Sequence, residues 1–125
     1  LSLYDFGDAI RSGATHALED EKDLDKVYVD LEFFEAFTKG FLEGTNSSLT
    51  EKEIEMLPMG AKVITLEQAI RFLTDYLDGD VYYKTSYSNQ NLDRTRTQLK
   101  LVKDIEEKWN ELNNIVNKYV SNSLV

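Results

Sequence analysis

Arg71 and the adjacent pair Tyr82-Tyr83 are the side chains best suited to hold a polar ligand. A guanidinium presents a planar fork of donors that matches pairs of oxygens, and a phenol offers both a flat apolar face and a hydroxyl, a combination that suits a sugar. Each has a plainer explanation. Glu67 stands four residues before Arg71 and Asp75 four after, so an ion-pair ladder along one helix face accounts for the charge. An aromatic pair at the end of a helix commonly does no more than cover the core.

Other reactive residue types lack the company their chemistry needs. Asp5-Phe6-Gly7 has the order of the metal-binding triplet of protein kinases, whose aspartate follows a strand beyond a catalytic loop. Neither context is present, and a structural role such as capping is expected for Asp5. The single histidine, His16, has no neighbouring Ser, Cys or second His to make a triad or metal site, and is expected in solvent. The acidic run from Glu19 to Asp25 lacks the glycine and terminal Glu of a calcium loop, which leaves a solvated face. Arg94 and Arg96 sit near the start of a helix, where positive charge opposes the dipole, so Asp93 or a bound anion should compensate. No catalytic and no metal-ligating residue is assigned.

The elements that would position these residues read as helices, because the single proline and most glycines fall where periodic runs stop. A first helix over residues 3 to 12 carries Leu3, Phe6 and Ile10, with Gly13 as a left-handed stop. Thr15 to Lys26 is acidic and weakly periodic, a solvated and mobile connection. Asp30 caps a core helix with Leu31, Phe34, Phe37, Phe41 and Leu42, which Gly44 and Asn46-Ser47-Ser48 end. Thr50-Glu51-Lys52-Glu53 is a capping box, with Ile54 and Leu57 as its apolar edge, and Pro58 suits the first turn of the next helix. That helix should be central, burying the stripe Val63, Leu66, Ile70, Leu73 and Leu77 and stopping at Gly79. Val81 to Thr85 reads as a connector. From Asn91, the residues Leu92, Leu99, Val102, Ile105, Trp109, Leu112, Val116 and Tyr119 mark one long amphipathic helix over 91 to 120. The fold class is therefore all-α, an irregular helical bundle in a single domain over 1–125.

Composition narrows the partners. The chain of 125 residues carries a formal charge of -9, which repels nucleic-acid phosphates and anionic lipid. With no cysteine, disulfides, thiolate metal sites and a cysteine nucleophile are excluded. No stretch approaches a membrane span and no signal peptide is visible, so no membrane association and a cytoplasmic setting are expected. The first residue is Leu1 rather than Met, which reads as a chain beginning inside a larger protein.

Together, Leu1-Ser2-Leu3-Tyr4-Asp5-Phe6-Gly7-Asp8-Ala9-Ile10-Arg11, the run Ile70 to Tyr82, and Asn91-Leu92-Asp93-Arg94-Thr95-Arg96-Thr97-Gln98 resemble the aminoglycoside phosphotransferase and choline kinase-like family, and within it the N-acetylhexosamine kinases. The resemblance runs from Leu1 to about Lys118. It implies the C-terminal helical subdomain of a protein kinase-like phosphotransferase, with ATP and Mg2+ held mainly by a missing N-terminal lobe. It further implies a sugar acceptor bound by Arg71 and Tyr82, with Asp5 bracing a catalytic loop and Asp8 and Arg11 near the pocket floor. Ser12 departs from relatives that carry an aromatic residue there. Some relatives carry a mucin-desulfatase label, which no sulfatase-type Cys or Ser two residues before Pro58 supports.

The expected function is acceptor recognition in a kinase that phosphorylates an N-acetylhexosamine at its anomeric hydroxyl, with the chain inactive alone. The rival expectation is a non-catalytic acidic helical module that binds a protein through residues 91 to 120. Apolar surface near residues 1 to 12 is expected to drive self-association.

Overall fold

The helical periodicity holds along the chain. The computed structural model describes residues 3–45 and 49–123, which form helices and no strand. The helices are α1 (Leu3–Gly13), α2 (Leu31–Thr45), α3 (Glu51–Glu55), α4 (Leu57–Leu77), α5 (Gln90–Glu107) and α6 (Trp109–Ser123), with a 3-10 turn at Leu24–Lys26. Leu1, Ser2 and the Asn46-Ser47-Ser48 stop lie outside the described residues. The result is an all-α bundle in which α4 lies along both α1 and α5, while α2 and α3 rest on α6.

Local signals set several boundaries. The Asp30 carboxylate accepts the Phe33 N–H at 3.1 Å and so caps α2. Thr50 and Glu53 close a reciprocal capping box at α3, and Pro58 stands in the first turn of α4, where its missing N–H is harmless. α4 ends in a Schellman motif: the Asp80 N–H reaches the Asp75 carbonyl at 2.8 Å and the Gly79 N–H the Tyr76 carbonyl at 3.2 Å, with Gly79 at φ 95°.

The core is aromatic at one end. Phe6 of α1 meets Phe34 and Phe41 of α2 edge-on, at centroid distances of 5.8 and 5.2 Å. Leu57, Leu101, Ile105, Leu112 and Val116 extend this cluster between the helices. Phe6 and Ile10 of α1 are thus buried, and the large exposed apolar residues lie mostly elsewhere.

The packing departs from the sequence reading at several points. Gly13 and Gly44 lie within α1 and α2, and among the described residues only Gly79 and Asp80 have positive φ. Gly13 is small for another reason: a Cβ there would stand 2.8 Å from Cζ of Phe33. The stripe Val63, Leu66, Ile70, Leu73 and Leu77 faces outward, with Ile70 56% and Leu77 74% exposed. α4 instead buries Ala61, Thr65, Ala69, Phe72 and Asp75. Ala61, Thr65 and Ala69 are small enough to let neighbouring backbones approach, and Gly7 of α1 meets Gly60 of α4 almost backbone to backbone.

The long final helix is interrupted at Lys108, whose φ of -96° and ψ of 14° leave helical geometry. Its Nζ turns back to donate to the Val29 carbonyl and the Asp104 carboxylate, each at 2.8 Å. Leu99 is exposed and Leu92 only half-buried, because the first half of α5 buries Asn91, Thr95, Thr97 and Gln98 against α4 and the preceding loop.

The acidic connection is tied down. Tyr87 and Gln90 reach the Asp20 carboxylate, Thr97 donates to the Glu21 carbonyl at 2.9 Å, and Val27 and Val29 are buried. Among the described residues no helix is long and apolar enough to cross a membrane.

Candidate functional site

Arg71 and Tyr82 line the same groove at the C-terminal end of α4, together with Ile70, Thr74, Asp78 and Val81; its volume is 590 Å³. That is a size suited to a small ligand. Helical spacing puts Ile70, Arg71, Thr74 and Asp78 on the outer face of α4, and the Schellman turn then folds the chain back so that Val81 and Tyr82 form the opposite wall.

Asp75 holds that wall in place. Its carboxylate, 4% exposed, accepts the backbone N–H of Tyr82 at 2.7 Å, that of Tyr83 at 3.0 Å and the Asn91 amide at 2.7 Å. Burial pushes the Asp75 carboxyl up, but these donors outweigh it and hold the group below its ordinary value. The sequence reading placed Asp75 in a surface ladder with Arg71. The structure corrects this: Arg71 pairs with Glu67 and not with Asp75, which turns inward to the loop backbone. The available signal was a carboxylate one turn before a Gly stop that is itself followed by an aromatic pair.

The two tyrosines divide the roles weighed for them. Tyr83 covers the core, its ring 4.8 Å from Phe72 and its hydroxyl accepting from Gln68 at 3.0 Å. Tyr82 stands edge-on to Tyr83 at 4.8 Å and is 81% exposed, so both its face and its hydroxyl are open to the groove. The connector behind them is fastened to α5, where Arg94 donates to the Lys84 carbonyl at 3.2 Å and to the Asn91 side chain at 2.9 Å. Arg94 also lies 3.9 Å from Glu19, and Arg96 lies 3.7 Å from Asp93, which supplies the compensation their position near the start of α5 calls for.

The other candidates lie away from this groove. Asp5, in the first turn of α1, borders a separate cavity of 320 Å³ with Ala36, Phe37, Gly40 and Phe41. Arg11 pairs with Asp8 at 3.1 Å and Glu19 at 2.9 Å, lining a small cavity of 80 Å³ beside Thr97 and Gln98. His16 is exposed and contacts Asp30 at 2.7 Å; that contact, before the Phe33 N–H, lowers the Asp30 carboxyl.

The groove can therefore present a guanidinium, a carboxylate from Asp78, the Thr74 hydroxyl and an aromatic face to one small molecule. Donors, acceptors and a flat apolar surface in one place are what a polyhydroxylated ligand requires. Among the described residues no group of three or more His, Cys, Asp or Glu side chains is placed to hold a metal ion. No model of a known protein family matches the chain.

Proposed function

We propose that this groove is the acceptor-binding wall of an ATP-dependent sugar kinase that acts on the anomeric hydroxyl of an N-acetylhexosamine in the cytoplasm. The observation that carries the reading is the convergence of Arg71 and Tyr82 on one groove of suitable size. In this reading Tyr82 stacks on the sugar ring, Arg71 donates to ring or acetamido oxygens, and Asp78 accepts from a hydroxyl. Asp75 is a positioning residue, acting through the backbone of Tyr82. ATP and Mg2+ would be held mainly by an N-terminal lobe outside this chain and would supply the transferable phosphoryl group there. This chain supplies binding and orientation.

The test is phosphorylation of a panel of hexosamines and small alcohols by the full-length protein with ATP and Mg2+, repeated with Arg71→Ala and Tyr82→Ala. The expected result is hexosamine turnover whose KM rises in the variants while kcat changes less. Turnover of a different alcohol, or variants with wild-type KM, would remove the sugar assignment. A second reading, a non-catalytic protein-interaction module, is favoured by the apolar outer face of α4 rather than by residues 91 to 120.

A further inference from the structure

α4 is apolar on both sides. Its inner face is buried in the bundle, and its outer face carries Met59, Val63, Leu66, Ile70, Leu73 and Leu77 at alternating steps of four and three. This is the a/d spacing of a helix that packs along a second helix. A helix that is apolar all round belongs in an interior, yet most of this stripe is exposed.

We infer that the outer face of α4 binds a second copy of this chain, α4 against α4 and antiparallel, about a two-fold axis near Gln68. Area supports this occupant: the stripe exposes roughly 500 Å² of apolar side chain, close to the apolar share of the ~800 Å² that each partner buries in a standard interface. Charge supports it as well. The chain carries -9 overall, but at the rim of the stripe Glu67 and Arg71 pair with each other, Lys62 is taken up by Glu106 and Asp75 is buried, so most of the negative surplus lies on other elements. This is a face at which two acidic chains can meet, and it offers no net charge to attract a basic or acidic partner.

The antiparallel sense follows from the rim. Glu67 and Arg71 border the stripe and pair with each other. A two-fold axis near Gln68 staggers the two Glu67 carboxylates and sets each beside the partner's Arg71, whereas parallel helices would set Glu directly against Glu and Arg directly against Arg. The same register stacks Leu66 on the partner's Ile70, Val63 on the partner's Leu73, and Leu77 on the partner's Met59. Ile70 and Arg71 also line the neighbouring groove, so this pairing competes with a ligand bound there.

Sedimentation equilibrium of the chain tests it. A dimer is expected at tens of micromolar, about the range of a modest interface, and it tightens as salt screens the repulsion between acidic chains. Leu66→Glu and Leu73→Glu, both at exposed positions, should each weaken association roughly 100-fold by burying a carboxylate while helical circular dichroism is retained. Leu99→Glu, at an exposed apolar position on α5, should leave it unchanged. Because the chain has no cysteine, single Cys variants report the register: a short bis-maleimide should join Glu67→Cys protomers and not Thr74→Cys protomers. A strictly monomeric chain, a dimer insensitive to both stripe variants, or equal crosslinking of the two Cys variants would overturn the proposal.

Discussion

Gly7→Ala and Gly40→Ala are the same substitution in neighbouring helices, and they should move stability in opposite directions. An alanine in a helix interior is worth about 0.5–1 kcal/mol over glycine, through lower backbone freedom in the unfolded chain. At Gly40 of α2 an added methyl meets nothing within 4 Å, so that gain should appear in full. At Gly7 the methyl would stand 2.7 Å from the Gly60 carbonyl oxygen and 2.9 Å from Cγ1 of Ile64. Neither atom is the far end of a flexible side chain, so α1 must move off α4. Overpacking of this kind costs about 1–3 kcal/mol, which leaves Gly7→Ala destabilised by a net ~1–2 kcal/mol after the helix gain is subtracted. Urea midpoints at constant m-value, or melting temperatures lower by about 4–8 °C for Gly7→Ala and higher by about 2–4 °C for Gly40→Ala, provide the measurement. A Gly7→Ala protein as stable as Gly40→Ala would mean that α1 and α4 do not approach this closely, and the account of the small inner face of α4 would fall with it.

Further expectations concern polar groups inside the bundle. Thr38 of α2 is fully buried and its hydroxyl has no hydrogen-bond partner among the described residues, so Thr38→Val should leave stability unchanged or raise it by up to about 1 kcal/mol in urea unfolding; a clear loss would mean that the hydroxyl is satisfied. Asp75 has its carboxyl held below 3.8, so its contribution is complete above the unfolded carboxylate range and disappears as pH falls through the lowered value. Asp75→Asn should therefore melt lower by ~5 °C at neutral pH and show a shallower acid limb, with hydrogen exchange faster at Tyr82 and Tyr83. Burial first, then Asp93 and Asp20, pushes the Tyr87 hydroxyl up to about 12. A raised value is stabilising below the unfolded 10.0, and that stability is lost as pH climbs through about 12. A late-titrating tyrosinate absorbance should vanish in Tyr87→Phe.

Much of the fold is legible from local chemistry. The capping box at Thr50, the Asp30 cap, Pro58 and the Gly79 stop are short-range devices whose partners lie within one turn, so spacing alone reveals them. The facing of α4 is not legible in that way. A search for large apolar residues at helical spacing selects Val63 to Leu77, whereas the side that packs inward is made of Ala61, Thr65 and Ala69, whose value lies in how closely they admit a neighbour. The break at Lys108 likewise depends on Val29 and Asp104, the first of them in a distant loop. At the site, Arg71 and Tyr82 stand out by residue type, but Asp75 does not. Its spacing from Arg71 fits a surface pair equally well, and only the folded loop reveals that its partners are the amides of Tyr82 and Tyr83.

Titration of the chain with N-acetylglucosamine and N-acetylgalactosamine, followed residue by residue in amide NMR spectra, tests the central claim most directly. The account predicts saturable shifts confined to residues 70–83, weakened in Arg71→Ala and Tyr82→Ala while the rest of the spectrum is unchanged. Absence of shifts at millimolar sugar, or saturable shifts that survive both substitutions, would contradict it.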